Sequence, residues 1–213
     1  MKQTIENAKK YIYDFFKNNE SSHDYYHSLR VYEMAKHILK YESANSYIVL
    51  LAALLHDVDD YKVSPSTCQN MDNAKTFLKN NNVLEQDIVL ICEIINDVAF
   101  KGKDTKIPKT IEGKIVQDAD RLDALGAIGI ARALTYGGNK NRILYDPNIL
   151  PNLDMKEDEY RNHISTTINH FYEKLFKLKD LMNTNVAKEI AQKRDNYMQE
   201  FIKIFKNEWE VVE

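Results

Sequence analysis

Apolar residues recur along this chain at spacings of three and four, which predicts helices nearly throughout. Residues 4–17 carry Ile5, Ala8, Ile12, Phe15 and Phe16 on one stripe, and residues 26–41 carry Val31, Met34, Ala35, Ile38 and Leu39. Residues 46–57 begin near a capping Asn45 or Ser46 and are apolar all round, the pattern of a central buried helix. Further helices are predicted over 73–80 (capped by Asp72), 84–99 and 111–135, the last broken near Gly126 and Gly129. Two long amphipathic helices follow at 158–182 and 184–209. No stretch alternates in the manner of a strand, and no internal repeat is visible, so the expected fold class is all-α.

Composition narrows the options by exclusion. The chain has 213 residues and a net charge of −3, so no overall basic field grips a nucleic-acid backbone. Its longest apolar run, residues 48–55, is far short of the roughly 20 residues of a membrane span. The first residues mix charge with bulk and offer no apolar core of a signal peptide, and Cys68 and Cys92 lack metal or redox spacing. A cytoplasmic protein with reduced thiols is expected. Two loops interrupt the helices, residues 101–110 and 137–158, the second longer than compact domains usually tolerate without a use for it.

Three polar intrusions on apolar helices change the picture. His27 and Arg30 share the inward face of helix 26–41 with Val31 and Met34. His56-Asp57-Val58-Asp59-Asp60 follows directly on "LLAALL", where a helix dipole disfavours anions. Asp120 and Asp123 lie three apart among Ile115, Val116, Ala119 and Leu122. Buried carboxylates need a partner, either a basic side chain such as Arg121 or a cation. His27, His56, Asp57 and Asp120 or Asp123 together make a donor set suited to Mn²⁺, Fe²⁺, Zn²⁺, Ni²⁺ or Co²⁺. Arg30 is the leading phosphate-binding candidate among the cations, with Lys62, Lys101, Lys103, Lys140 and Arg142 as others.

The order His27, then His56-Asp57, then an aspartate in "IVQDADRLDA" resembles the HD-domain superfamily of metal-dependent phosphohydrolases. The stretches "HDYYHSLRVYEMA", "LAALLHDVDDYK", "IVQDADRLDALGAIGIARALTYGG" and "TTINHFYEKLFKLKDLMNT" are similar to its bacterial YpgQ/YedJ-like branch, over nearly the whole length. The resemblance implies one HD domain over residues 1–213, a helical bundle with its core at about 20–135 and C-terminal helices 158–209 packed on it. It implies one divalent metal ion held by His27, His56, Asp57 and Asp120. Mn²⁺ is favoured, with Mg²⁺, Fe²⁺, Ni²⁺, Co²⁺ or Zn²⁺ as alternatives. Asp123 then orients a ligand or water from behind, and Asp60 is a catalytic base or proton shuttle beside Asp57. His23, Arg30, Lys62 and Lys101 are the expected substrate contacts. Asp59 is left as a solvated turn residue.

The implied activity is hydrolysis of a nucleotide, first among the options the release of pyrophosphate from a nucleoside triphosphate. Nucleoside monophosphate dephosphorylation, phosphodiester cleavage, a regulatory module with little turnover, and a purely structural helical protein are the alternatives. The expected partner is a small nucleotide or phosphate ester, with no nucleic acid and no membrane. The aromatic C-terminal helices are compatible with a homodimer.

Overall fold

The computed structural model describes residues 1–17 and 24–212. His23 therefore lies outside the described residues. Those residues are helical with no strand, and the all-α expectation holds. Among them, no helix is long and apolar enough to cross a membrane. The chain divides into two compact units, Met1–Phe100 with Thr105–Asp120, and Lys101–Asp104 with Arg121–Glu213.

The first unit is built around α3 (Ser46–Leu55). Its sequence, SYIVLLAALL, has no polar face, and Ile48, Val49 and Leu51 to Leu55 are all fully buried. Each large aliphatic side chain removed from water in this way contributes roughly 1.5–3 kcal/mol. Asn45 starts the helix, its carboxamide oxygen accepting the N–H groups of Tyr47 and Ile48. Around α3 pack α1 (Lys2–Phe16), α2 (Tyr25–Ile38) and α5 (Glu85–Val98), and α4 (Asp72–Asn80) packs on α5. The stripes read from sequence are the buried ones: Ile5, Ala8, Ile12 and Phe16 on α1, and Val31, Ala35 and Ile38 on α2. α6 (Ile111–Asp123) is anchored by Gln117, a fully buried side chain whose amide donates to the carbonyls of Asp97 and Lys106.

The predicted helix 111–135 is two helices, α6 and α7 (Gly126–Asn139). The break falls at Gly126, which adopts φ +74°, a left-handed conformation that costs an L-residue about 1–2 kcal/mol. Gly129 lies inside α7 for a different reason: an added Cβ would lie 2.2 Å from the Ala124 carbonyl oxygen. Gly126→Ala is expected to lower stability by about 1–2 kcal/mol in urea unfolding, and an unchanged midpoint would contradict this account of the break.

The predicted helix 158–182 does not form. In its place stand α8 (Glu157–Asn162), α9 (Asn169–Glu173) and a 3₁₀ segment, Leu175–Leu181. The cause is Glu173, only 4 % exposed, whose Oε1 accepts from Ser165 Oγ (2.8 Å), His163 Nε2 (3.0 Å) and the Asn152 N–H (3.2 Å). His163 ends α8 in an extended conformation, and the Thr167 and Ile168 amides donate to the carbonyls of Ile143 and Leu144. A buried carboxylate with three donors outweighs local helical preference, because leaving it unpaired costs several kilocalories. α10 (Asn185–Glu210) closes the second unit. Its Phe201, Phe205 and Trp209 run in a ring ladder that meets Phe171 and Tyr145.

Candidate metal centre

Three helix ends in the first unit bring the inward polar residues together. Asp24 caps α2, its Oδ1 accepting the His27 N–H at 2.6 Å, so the first turn that carries His27 is fixed. His56 is the C-cap of α3, and its Nδ1 lies 2.9 Å from the Ala53 carbonyl oxygen. A carbonyl only accepts, so Nδ1 carries a proton and Nε2 is left facing the cluster. Asp57 follows on the next residue, and α6 brings in Asp120.

His27 Nε2 and His56 Nε2 lie 3.2 Å apart, and each lies 3.3 Å from Asp57 Oδ2. Asp120 Oδ1 is 3.4 Å from His27 Nε2 and 3.7 Å from His56 Nε2. The rings meet edge to face. His27, His56 and Asp57 are buried, and the Asp120 side chain is 27 % exposed, the opening of the cluster. Donor atoms that share one cation at roughly 2.0–2.2 Å from each are themselves spaced by about 3.0–3.6 Å. His27, His56 and Asp57 therefore form a group able to hold one divalent ion, and Asp120 Oδ1 lies beside both imidazoles.

Electrostatics point the same way. Burial pushes the His56 imidazole toward neutrality, but the charge of Asp57, a hydrogen bond with it and the charge of Asp120 override this and raise its pKa. Burial alone would raise the Asp120 carboxyl, yet the His27 hydrogen bond and the charges of His56 and His27 bring it below its usual value. Positive charge is what the cluster stabilises.

The remaining carboxylates of the acidic run have other partners. Asp59, expected to be solvated, is 6 % exposed: its Oδ1 and Oδ2 accept the N–H groups of Asn73 (3.2 Å) and Ala74 (2.9 Å). Asp72, the expected cap of α4, sits inside the first turn; Met71 occupies the cap position in a left-handed conformation and supplies no side-chain bond. Asp60 Oδ1 accepts the Lys62 N–H at 2.8 Å. A cation is thus not needed to explain all three aspartates. Nothing local in the sequence marks Asp59, whose partners are 14 and 15 residues away.

Asp123 is 5 % exposed and belongs to the second unit, where its Oδ2 pairs with Arg132 Nη1 at 2.7 Å. Arg121, also buried, donates to the Leu181 carbonyl. Arg30 is half-buried on α2, and Lys62 is exposed with its ammonium over the Tyr61 ring. Lys101 is half-buried in the second unit, next to the 3₁₀ turn Gly102–Asp104. A separate groove of about 460 Å³, lined by Asn7, Lys10, Tyr11, Asn73 and Phe77 among others, contains none of the four clustered residues.

Residues 24–125, the span that holds the whole cluster, match the HD domain family. The Bacillus subtilis protein YpgQ is 36 % identical over 93 % of this chain and 90 % of its own length. The chain belongs to the HD-domain family of hydrolases. An HD-superfamily hydrolase from Bacillus thuringiensis is similar over 98 % of both chains, at 42 % identity and a TM-score of 0.76. A Lactobacillus plantarum protein covers 99 % of both at 39 % identity and a TM-score of 0.89. The structure of YpgQ in complex with ADP has a TM-score of 0.77, at 31 % identity over 98 % of this chain and 100 % of that one. HD domains bind divalent metals, and the cluster of this HD domain has the donors and spacing for that task.

Proposed function

We propose that this HD-domain hydrolase cleaves a phosphate anhydride bond of a nucleotide, with release of pyrophosphate from a nucleoside triphosphate as the leading reaction. The observation that carries the reading is that two imidazole Nε2 atoms lie 3.2 Å apart, each with an Asp57 and an Asp120 oxygen at 3.3–3.7 Å, on the buried ends of α2 and α3 and on α6. The complex of YpgQ with ADP supports a nucleotide as the ligand class.

His27, His56, Asp57 and Asp120 are the residues that would hold the cation, and Mn²⁺ suits this mixed nitrogen and oxygen set. When bound, a divalent cation lowers the pKa of water and polarises a phosphoryl oxygen. Asp60, three residues after Asp57, takes the proton of the attacking water. The new bond joins water oxygen to the α-phosphorus, the bond to the β-phosphate bridge breaks, and a nucleoside monophosphate and pyrophosphate leave. Arg30 on α2 and Lys62 after the acidic run steady the phosphate oxygens.

The test is a panel of nucleoside tri-, di- and monophosphates and a cyclic phosphodiester incubated with purified protein and Mn²⁺, with phosphate and pyrophosphate measured separately. Pyrophosphate from triphosphates is expected, at rates more than about 100-fold above a His56→Ala/Asp57→Ala variant, since even the outer partners of metal ligands are worth 10–100-fold. Equal rates in the two proteins would overturn the reading, and release of phosphate alone would overturn the bond assigned.

A further inference from the structure

The turn that carries His56 and Asp57 is held from outside by the start of α4. Asp59 supplies the acceptors that Met71, the N-cap of α4, does not: Oδ1 takes the Asn73 N–H and Oδ2 the Ala74 N–H. Asn73 returns the contact. Its amide nitrogen donates to the Val58 carbonyl at 3.0 Å, to Thr67 Oγ1 at 2.9 Å and to Ser64 Oγ at 3.3 Å. The two residues directly after Asp57 are thus fixed by both a carboxylate and a carbonyl to one helix end. The turn's own bonds run from Val58 N–H to the Leu55 carbonyl and from Asp60 N–H to the Asp57 carbonyl, and the clamp ties it to a separate helix. The negative charge of Asp59 also sits where the α4 dipole favours an anion.

We infer that Asp59 and Asn73 are positioning residues: by clamping the turn Val58–Asp60 to the N-terminus of α4 they set the direction of the Asp57 carboxylate toward the cation it shares with His56. Neither residue touches that cation. This inference rests on the metal-binding reading, and it extends the site from the four donors to a helix whose first turn holds their backbone. A ligand cluster tolerates displacements of only about 0.5 Å, so loosening the turn costs affinity even while the fold persists.

The measurement is Mn²⁺ binding by calorimetry, with a melting curve for each protein and all titrations at a temperature where circular dichroism shows each variant folded. Asp59→Ala and Asn73→Ala are each expected to raise the Mn²⁺ dissociation constant about 10–100-fold. The double variant is expected to be no weaker than roughly the weaker single, because the two act through one contact. Gly126→Ala, in the second unit, provides a variant of comparable stability loss and is expected to bind Mn²⁺ as wild type does. Should Asp59→Ala not fold, Asp59→Asn keeps one acceptor and is expected to show an intermediate loss. A lowered melting temperature with an unchanged dissociation constant in Asp59→Ala, or in Asp59→Asn where that variant stands in, would reduce the clamp to a helix cap and overturn the inference. No Mn²⁺ binding by wild type would instead overturn the metal reading beneath it.

Discussion

His56→Ala is expected to abolish the stabilisation that a divalent cation gives this protein. At a free Mn²⁺ concentration about 100 times the dissociation constant, wild type gains roughly 2.7 kcal/mol, which for a chain of this size is a rise of about 5–10 °C in melting temperature. The variant loses a donor whose Nε2 lies within 3.3 Å of both His27 Nε2 and Asp57 Oδ2, and the remaining groups cannot close around an ion. Melting curves with and without Mn²⁺, before and after a chelator, read this directly. A cation-dependent shift of the same size in His56→Ala would show that the imidazole is no part of the site.

The second large effect separates two aspartates three residues apart on α6. Asp120→Ala removes the oxygen 3.4 Å from His27 Nε2 and is expected to weaken Mn²⁺ binding by more than about 100-fold, with little loss of stability because its side chain is partly exposed. Asp123→Ala should behave in the opposite manner. It strips the partner from Arg132, whose guanidinium sits 2.7 Å from a carboxylate that is almost fully buried. Breaking such a pair costs 3–5 kcal/mol when both charges are buried; with Arg132 24 % exposed, about 2–3 kcal/mol is expected. Metal affinity of the folded Asp123→Ala protein should stay near that of wild type. Urea unfolding and Mn²⁺ titration of both variants decide the matter, and the reverse pattern would exchange their roles.

The parts of the fold set by local pattern were open to reading from sequence. α3 is apolar on every side and so had to be central, Asn45 announces its start, and Gly126 marks where α6 ends because only glycine accepts that backbone at no cost. The segment 158–182 was misread for the opposite reason. Ile168, Phe171, Leu175 and Leu178 keep a helical spacing and are buried, yet Glu173 draws Asn152, His163 and Ser165 to one oxygen and bends the chain between them. Spacing cannot report a bond across 21 residues. The metal-binding candidates were legible because histidine and aspartate are conspicuous on apolar helices. Asp59 was not, since its role is set by the N–H groups of a helix whose own cap position holds methionine.

The hydrogen bond from His56 Nδ1 to the Ala53 carbonyl has a consequence for how the site fills. A helix end leaves carbonyls without partners, and here the imidazole satisfies one of them while its other nitrogen waits for a ligand. The ring is therefore immobilised as α3 folds, and its rotational entropy is lost then, in the absence of any ion. A cation arriving later meets a donor already aimed, and the binding free energy is spared that ordering cost. By the same coupling, the last turn of α3 cannot fray without turning the imidazole away, so amide exchange in that turn should slow when a cation binds and quicken when it is lost.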